Sequence, residues 1–454
     1  MRRIAFLCLL LSTAAWAGQV GGLPCRGVDP PLRRPLADVI GVNTHYGTDV
    51  DPGLDRFAAA GLRLVRNDLT WSQIERVPGQ YDFSGPDRVV AALEQRGIHI
   101  IFILDYGNSL YGPSRAVVDD AGREAFAAFA AAAARRYGGR GHLWEIWNEP
   151  NIFWSAPGTG IGGDPAEYAR LVAATVPALR AADPHGAILV GSISYILDSL
   201  LGDSFLQGLI AQHVLPLADG LTVHFYRGGP PESVGADVGH VRDLLAAAGQ
   251  VIPVWSGEWG WSTYDPTAPP TGLNYLPAVT PQRQASWVAR MLLVNATLGL
   301  PGSIIYDDHD SAHPSPGNIE DHFGLLANDF SPKPAFDALA EVLAVAGTAR
   351  PLCVLAPGAG AHGLVLRQQT AGKVVALWSE TDVTWAVRAR GREVRMLAAD
   401  GHDITPSTLA RGAIVPGVAD DGPLYLVGVR TLRVRLADSK ESAVVPLYTS
   451  GASR

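Results

Sequence analysis

Between Asp38 and Val345 the chain alternates short apolar stretches with longer amphipathic or alanine-rich ones, and this alternation restricts its fold more than any other feature. The strand-like stretches are Asp38–Asn43, Leu62–Arg66, Ile98–Leu104, His142–Asn148, Ala187–Val190, Leu221–Phe225, Ile252–Ser256 and Ser303–Tyr306. Helix-like segments fall between and after them: Pro52–Ala60, Pro86–Gln95, Arg123–Tyr137, one opening at Asp164, Phe205–His213, Gly239–Ala248, Gln282–Leu298 and Pro334–Val345. Ile98–Leu104 is largely β-branched and aliphatic, typical of a strand covered on both sides. Asp164, Pro165 and Glu167 form a helix start, with a cap, a first-turn proline and a carboxylate to complete a capping box. Eight strand-then-helix units predict a closed (β/α)8 barrel, which gathers its chemistry at the C-terminal ends of the strands.

From about Arg350 the period changes to two, with turn signals between Gly363–Gln368, Val374–Ser379, Thr384–Ala389, Glu393–Ala398, Leu424–Val429 and Leu432–Leu436. This predicts a second, all-β domain of sandwich type. No exposed aromatic cluster marks it as a sugar-binding module, so it reads as a scaffold on the side of the barrel. The expected organisation is a signal peptide over 1–17, an arm over 18–37, a barrel over 38–348, a β-sandwich over 349–438 and a flexible tail over 439–454.

With 454 residues, 47% hydrophobic and 18% charged, the chain can bury more core than one ordinary domain holds. Its formal net charge of -8 argues against nucleic acid or an anionic membrane as partner and suits a neutral, hydroxyl-rich ligand. Met1-Arg2-Arg3, the apolar run Ile4–Leu11 and the small residues up to Ala15-Trp16-Ala17 form a signal-peptide pattern. That run is short for a bilayer span, so the mature chain is expected to be secreted or periplasmic, without an integral span and as a monomer. Cys8 would leave with the signal, and in an oxidising compartment Cys25 and Cys353 could pair.

Two stretches carry the chemistry. Trp144-Glu145-Ile146-Trp147-Asn148-Glu149-Pro150-Asn151 ends the fourth strand, and Val254-Trp255-Ser256-Gly257-Glu258-Trp259-Gly260-Trp261 ends the seventh. One glutamate before a proline is ordinarily a strand-end carboxylate and nothing more. Two of them, each at a barrel strand end among tryptophans, match what glycoside hydrolysis requires: one group to protonate the leaving oxygen and one to attack or to activate water. Glu145, four residues before Glu149, is a rival acid, though its place deeper in the barrel favours pairing with a basic group.

With Trp-Asn-Glu-Pro-Asn on strand four, Ser-Gly-Glu-Trp-Gly-Trp-Ser on strand seven and His-Phe-Tyr on strand six, the sequence resembles the retaining glycosidases of clan A. Within them it is most similar to glycoside hydrolase family 39 and its bacterial exopolysaccharide-hydrolysing branch. The resemblance implies Glu149 as acid/base, Glu258 as nucleophile, and Arg66, Asn148, His224 and Tyr226 as their partners. No cofactor and no metal are expected. The chemistry of these groups agrees: Arg66 can hold an ionised Glu258, Asn148 can donate to a sugar 2-hydroxyl, and Tyr226 can fix the nucleophile's rotamer. His224 by itself would be a satisfied interior histidine, and its strand-six position is what makes it a candidate. Trp154, Trp259 and Trp261 offer flat faces for pyranose rings, although any single tryptophan is more often packing. At strand eight the chain departs from the clan, with Tyr306-Asp307-Asp308-His309 where many members place a tryptophan; Asp307 is expected to bind sugar hydroxyls.

Two other patterns are decoys. Gly158–Gly163 matches G-x-G-x-x-G and Asp183 lies about twenty residues on, but the strand ends too early and Asp183 closes a helix, so a rim loop is expected rather than a dinucleotide site. Asp307, Asp308, His309, Asp310, His313, Glu320, Asp321 and His322 lie on one loop without a recognised metal-ligand spacing, and hydrogen bonding to sugar is expected of them. The sequence therefore predicts an exported retaining glycosidase of an oligo- or polysaccharide. An exo-acting xylosidase-like enzyme and a polysaccharide-binding or assembly protein with little turnover are the alternatives.

Overall fold

The computed structural model describes residues 25–112, 115–153, 163–195, 199–272, 274–358, 360–368, 372–437 and 443–446. The signal-peptide pattern, Trp154, most of the Gly158–Gly163 loop and most of the tail lie outside the described residues. Strands β1 (Ile40–Thr44), β2 (Leu64–Thr70), β3 (His99–Asp105), β4 (Leu143–Ile146), β5 (Ala187–Ser194), β6 (Gly220–His224), β7 (Val254–Trp259) and β8 (Ser303–Ile305) pair in that order and close into a parallel barrel. Helices α1 (Leu54–Ala60), α2 (Ser84–Glu94), α3 (Asp120–Tyr137), α4 (Pro165–Ala182), α5 (Ser199–Ala211), α6 (Val234–Ala247), α7 (Pro281–Thr297) and α8 (Pro334–Ala346) follow their strands in turn.

Several boundaries differ from the sequence expectation for identifiable reasons. Leu36–Asp38 forms a 3-10 turn, so β1 starts later than Asp38. Strand β2 runs on to Thr70 and β5 to Ser194, carrying polar residues to the rim that a hydrophobic pattern does not reveal. Strand β4 stops at Ile146, and Trp147 and Glu149 then take positive φ values of 70° and 46°. Such angles are costly for residues with a Cβ and persist only where the surroundings impose them. Asp164 caps α4 as expected, accepting from the Ala166 amide at 2.8 Å, but Glu167 does not close a capping box and pairs with Arg123 and Arg170 instead.

The barrel's lower end is plugged by Leu64, Ile101, Leu189, Trp255 and Ile304, with Leu143 against them. One large ring can occupy that floor because its neighbours lack side chains. A Cβ on Gly220 would lie 2.6 Å from the Trp255 indole nitrogen, and one on Gly302 would lie 1.9 Å from the ring. Polar side chains facing inward are thereby confined to the upper half, at the C-terminal end.

The C-terminal strands β9 (Arg350–Gly358), β10 (Ala361–Arg367), β11 (Lys373–Ser379), β12 (Val383–Leu397), β13 (Ala413–Gly417) and β14 (Leu424–Leu436) form one antiparallel sheet in the order β9-β10-β11-β14-β12-β13. The pairing of the long strands β12 and β14 shifts register at Gly391, and Gly428 beside it has φ 74°, so the sheet bends there around a core that includes Trp385, Met396 and Leu426. Arg26–Gly27 pairs with β9, and the adjacent Cys25 is bonded to Cys353. The sheet is fastened to the barrel through α7. Arg290, 1% exposed, holds both oxygens of Glu232, which also accepts the Trp378 indole N–H at 2.9 Å. No helix among the described residues is long and apolar enough to cross a membrane.

Trp255→Ala empties the floor, and deletion of a buried indole costs about 3–5 kcal/mol. Chemical denaturation of the variant should show a loss of that order; a loss under about 1 kcal/mol would mean the floor does not depend on this ring.

Candidate active site

The upper interior is organised by Arg66 on β2. Register places Asn43 of β1 beside Arg66, and Glu258 of β7 beside His224 of β6. A guanidinium has five N–H groups, and here each has an acceptor. Nε donates to Glu145 at 2.5 Å, Nη1 to Asn43 at 2.9 Å and to Glu258, and Nη2 to Asn148 at 2.8 Å and Ser192 at 3.1 Å. Arg66 is 1% exposed, and the two carboxylates beside it keep it charged against the cost of burial.

Glu145 is not at the rim. It is fully buried below Arg66, and its second oxygen accepts from Thr222 at 2.5 Å. Its role as a rival acid is therefore excluded by position, and it serves as counter-ion to the guanidinium. Glu258 accepts from Arg66 through one oxygen and from the Tyr226 hydroxyl, at 3.0 Å, through the other. Asn148 accepts from Arg66 and donates to the Tyr106 hydroxyl at 3.1 Å, and its other amide hydrogen has no acceptor among the described residues.

Glu149 is held by the residues on either side of it. Asn151 clamps the end of β5 through two bonds, its amide donating to Ser194 O at 2.8 Å and its oxygen accepting from Ser194 N at 2.9 Å. Tyr168 of α4 bridges the neighbouring strands, donating to Ile146 O at 2.7 Å and accepting from Gly191 N at 3.0 Å. These ties fix the positive-φ turn that aims Glu149 inward. A Glu149 oxygen lies 2.8 Å from His224 Nδ1, and the same nitrogen is 3.4 Å from Glu258. One ligating atom from each of Glu149, His224 and Glu258 lies within 4.8 Å of the other two.

Burial raises the Glu149 pKa from 4.5 to about 7, partly offset by the Arg66 charge. Burial also lowers His224 from 6.5 to about 4, against the pull of Glu258. Both shifts favour neutral forms, as a dry site requires. Tyr226 is held well above its ordinary value by burial and by Glu258.

The structure brings Glu149, Glu258, Arg66, Asn148, His224 and Tyr226 into one site. Asp307, at the end of β8, is buried beside Asp308, and both burial and that neighbour raise its pKa well above the carboxylate range. Trp259 and Trp261 require correction as sugar platforms. They are 1% and 2% exposed; Trp259 packs on Trp261, and Trp261 on Trp287 of α7, because the residue after Glu258 in a strand must face outward, toward the helices. The aromatic wall of the cleft is instead Tyr306, part-exposed and edge-on to Tyr226, His45 and Phe323 at 6.1, 5.9 and 5.4 Å. Tyr275 and Glu320, bonded at 2.6 Å, lie close enough for Glu149 to influence both.

The acidic and histidine-rich loop after β8 is dispersed. Asp310 pairs with Lys333, Asp321 accepts from Ser315 N, and His322 meets Ser315 O. Asp308, His309 and Asp51 stay together with potential ligand atoms within 4.8 Å, and the His309 ring occupies the position between the carboxylates. Asn151 closes the strand-four motif but has no role in the sequence expectation, and Asn43, Ser192 and Thr222 belong to the network without being part of that expectation. Their only signal in the sequence is a polar residue at or near a barrel strand's upper end, which many bystanders share.

The family model described as cellulase (glycosyl hydrolase family 5) matches residues 33–291. No curated protein sequence matches the chain. Among solved structures, a family 39 glycoside hydrolase from the gut symbiont Bacteroides cellulosilyticus WH2 superposes with TM-score 0.68 at 23% identity, over 87% of this chain and 81% of that one. A family 39 β-xylosidase from Caulobacter crescentus gives 0.60 at 17% identity, over 88% and 98%. A family 30 endoxylanase from Clostridium papyrosolvens C71 gives 0.58 at 12%, over 90% and 98%. At these identities the likeness is one of fold, a barrel with an appended β domain.

The two shifts have opposite linkage. Glu149's pKa is higher folded than unfolded, so its contribution to stability is complete below about 4.5 and lost as pH rises through about 7. For His224 the folded pKa is the lower one, so its contribution is complete above 6.5 and lost as pH falls toward about 4. Glu149→Gln should therefore raise Tm relative to the parent more at pH 8 than at pH 5. Equal shifts at both pH values would show that Glu149 is not held protonated by the fold.

Proposed function

The chain belongs to the cellulase family, glycosyl hydrolase family 5, and from that premise and the buried glutamate pair we propose that it hydrolyses β-type glycosidic bonds by double displacement. As a glycoside hydrolase it acts on carbohydrate. The observation that carries the mechanism is the close approach of Glu149 and Glu258, with a carboxylate oxygen of each within 4.8 Å of the other. Retaining enzymes hold their carboxyls about 5–5.5 Å apart, whereas inverting enzymes need about 6.5–9.5 Å to admit a water between them.

Glu258 is the nucleophile: it accepts from Arg66 and Tyr226, donors that hold a carboxylate anion in one rotamer and leave a lone pair for the anomeric carbon. Glu149, protonated below about pH 7, gives its proton to the departing oxygen. Once Glu258 is esterified its negative charge is gone, which lowers the pKa of Glu149 and suits it to take a proton from the incoming water. Asn148's remaining amide hydrogen serves the 2-hydroxyl. Tyr306 walls the reacting sugar, and Asp307 acts through sugar hydroxyls.

The substrate we favour is a bacterial exopolysaccharide met outside the cytoplasm. Export is supported by the signal-peptide pattern of residues 1–17 and by the Cys25–Cys353 bond, which suits an oxidising compartment. A polymer rather than a single terminal sugar is supported by a cavity of about 240 Å³ beside His45 and Asp68, walled by Thr48, Gln73 and Arg76, which we read as room for a further sugar unit.

Incubation with 2-fluoro glycosides, followed by peptide mapping, should place a covalent sugar on Glu258. Glu258→Gln should abolish turnover and retain binding; residual turnover near the parent's would remove the nucleophile assignment. Glu149→Gln should slow substrates with poor leaving groups by roughly 10²–10⁴-fold and activated aryl glycosides far less. In the parent, kcat/KM should fall as pH rises above about 7, where Glu149 loses its proton. A rate that continued to rise through pH 9 would assign the acid to another group.

A further inference from the structure

Ser192 takes part in no step of the double displacement, yet the chain is distorted to place it. It follows Gly191, whose φ is 101°, and itself has φ 46°, at a point where the β5–β6 register breaks between Val190 and Ile193. A Cβ on Gly191 would lie 2.5 Å from Leu221 and 2.9 Å from Thr222 O, so only glycine fits there. The Ser192 amide is fixed by the Thr222 hydroxyl oxygen at 2.9 Å. These features turn the Ser192 hydroxyl into the fully buried space between Arg66, Asn148 and His224.

Hydrogen bookkeeping at that hydroxyl leaves few choices. Arg66 Nη2 can only donate, so Ser192 Oγ accepts from it at 3.1 Å. The single Ser192 hydroxyl hydrogen then has two acceptors in reach: His224 Nε2 at 3.0 Å and Asn148 Oδ1 at 3.3 Å. Asn148 Oδ1 is already served by Arg66 at the shorter distance of 2.8 Å. Asn148 Oδ1 has a second lone pair, but at 3.3 Å it is the farther of the two, and the shorter 3.0 Å contact favours the hydrogen lying toward His224 Nε2. A neutral imidazole that accepts at Nε2 carries its proton on Nδ1.

We propose that Ser192 is a positioning residue that sets the His224 tautomer, so that Nδ1–H is a donor shared between Glu149 and Glu258. This rests on the double-displacement reading for its consequence, though not for its geometry. With Nδ1–H, the histidine offers a hydrogen to whichever carboxylate bears charge: Glu258 before the glycosyl ester forms, Glu149 after its proton has left. With the opposite tautomer, Nδ1 would present a lone pair to both carboxyls. It would then take a hydrogen bond from the Glu149 hydroxyl, turning that proton away from the leaving oxygen, and it would repel the Glu258 anion.

Other ionisable groups that face this pair are Arg66 from β2, Glu145 from β4, and Tyr226, Tyr275 and Glu320 from the rim. Substituting Ser192 removes none of these groups but takes one acceptor from Arg66, so the pH profile is read together with the tautomer, which isolates the His224 contact.

Two variants separate the hydroxyl from the backbone. Ser192→Ala removes the hydroxyl and keeps a Cβ at positive φ, whereas Ser192→Gly removes both and relaxes the angle. Histidine-selective 15N NMR of the full chain, with His224→Gln to assign the signal, reads the tautomer directly. The expected result is Nδ1–H in the parent and its loss or mixing with Nε2–H in both variants. Both variants should also move the basic limb of kcat/KM upward by about one pH unit, because the ionised Glu149 loses a donor. They should slow unactivated aryl glycosides roughly 10-fold more than dinitrophenyl glycosides. An Nε2–H tautomer in the parent, or Nδ1–H retained in both variants with only Tm altered, would overturn the assignment. The tautomer is read without turnover, so failure of Glu258 to take up a 2-fluoro sugar would count against the glycosidase reading and not against this one.

Discussion

The interior of the barrel is built around a buried cation. Removing Arg66 from water is expensive, and that cost is recovered only if every N–H is met and the charge is balanced. The fold meets both conditions by recruiting acceptors from β1, β4 and its end, β5 and β7: Asn43, Glu145, Asn148, Ser192 and Glu258. Because a guanidinium is a rigid planar fork, these five contacts also fix the relative positions of the strands that carry them. The placement of Glu258 is therefore a by-product of satisfying one arginine. Glu145 makes this possible, since it pairs with the guanidinium from below, so Glu258 is not its only carboxylate partner.

The same dryness explains why the acid and the histidine differ so much from their solution behaviour. Glu149 has little access to water and its nearest cation is committed elsewhere, so burial dominates and the proton stays on near neutral pH. His224, a few ångströms away, is driven toward neutrality from the other direction. One desolvated environment thus holds a protonated carboxyl and a neutral histidine side by side.

The architecture is legible in the sequence because barrel strands buried on both faces begin as short apolar runs, and helices and strands differ in period. Glu149 and Glu258 are legible because a charged residue at the end of an apolar run is anomalous. Trp259 and Trp261 mislead because aromatic character says nothing about which way a side chain faces; the strand's alternation, fixed once Glu258 points inward, sends Trp259 outward. Ser192 and Asn43 leave no such mark. Each is a common polar residue, and its significance lies in a distance across the barrel that only closure creates.

That limit has a physical origin in how barrels use their strands. Residues that contact one another across the lumen are separated by tens to hundreds of positions, as Arg66 and Glu258 are by 192. No local pattern encodes such a pair. What the sequence does encode is the apolar floor of Trp255 with Gly220 and Gly302, which forces polar side chains into the upper half. Given that confinement and one arginine among them, a hydrogen-bonded network has few ways to close. The site is then a consequence of packing below it as much as of the residues that line it.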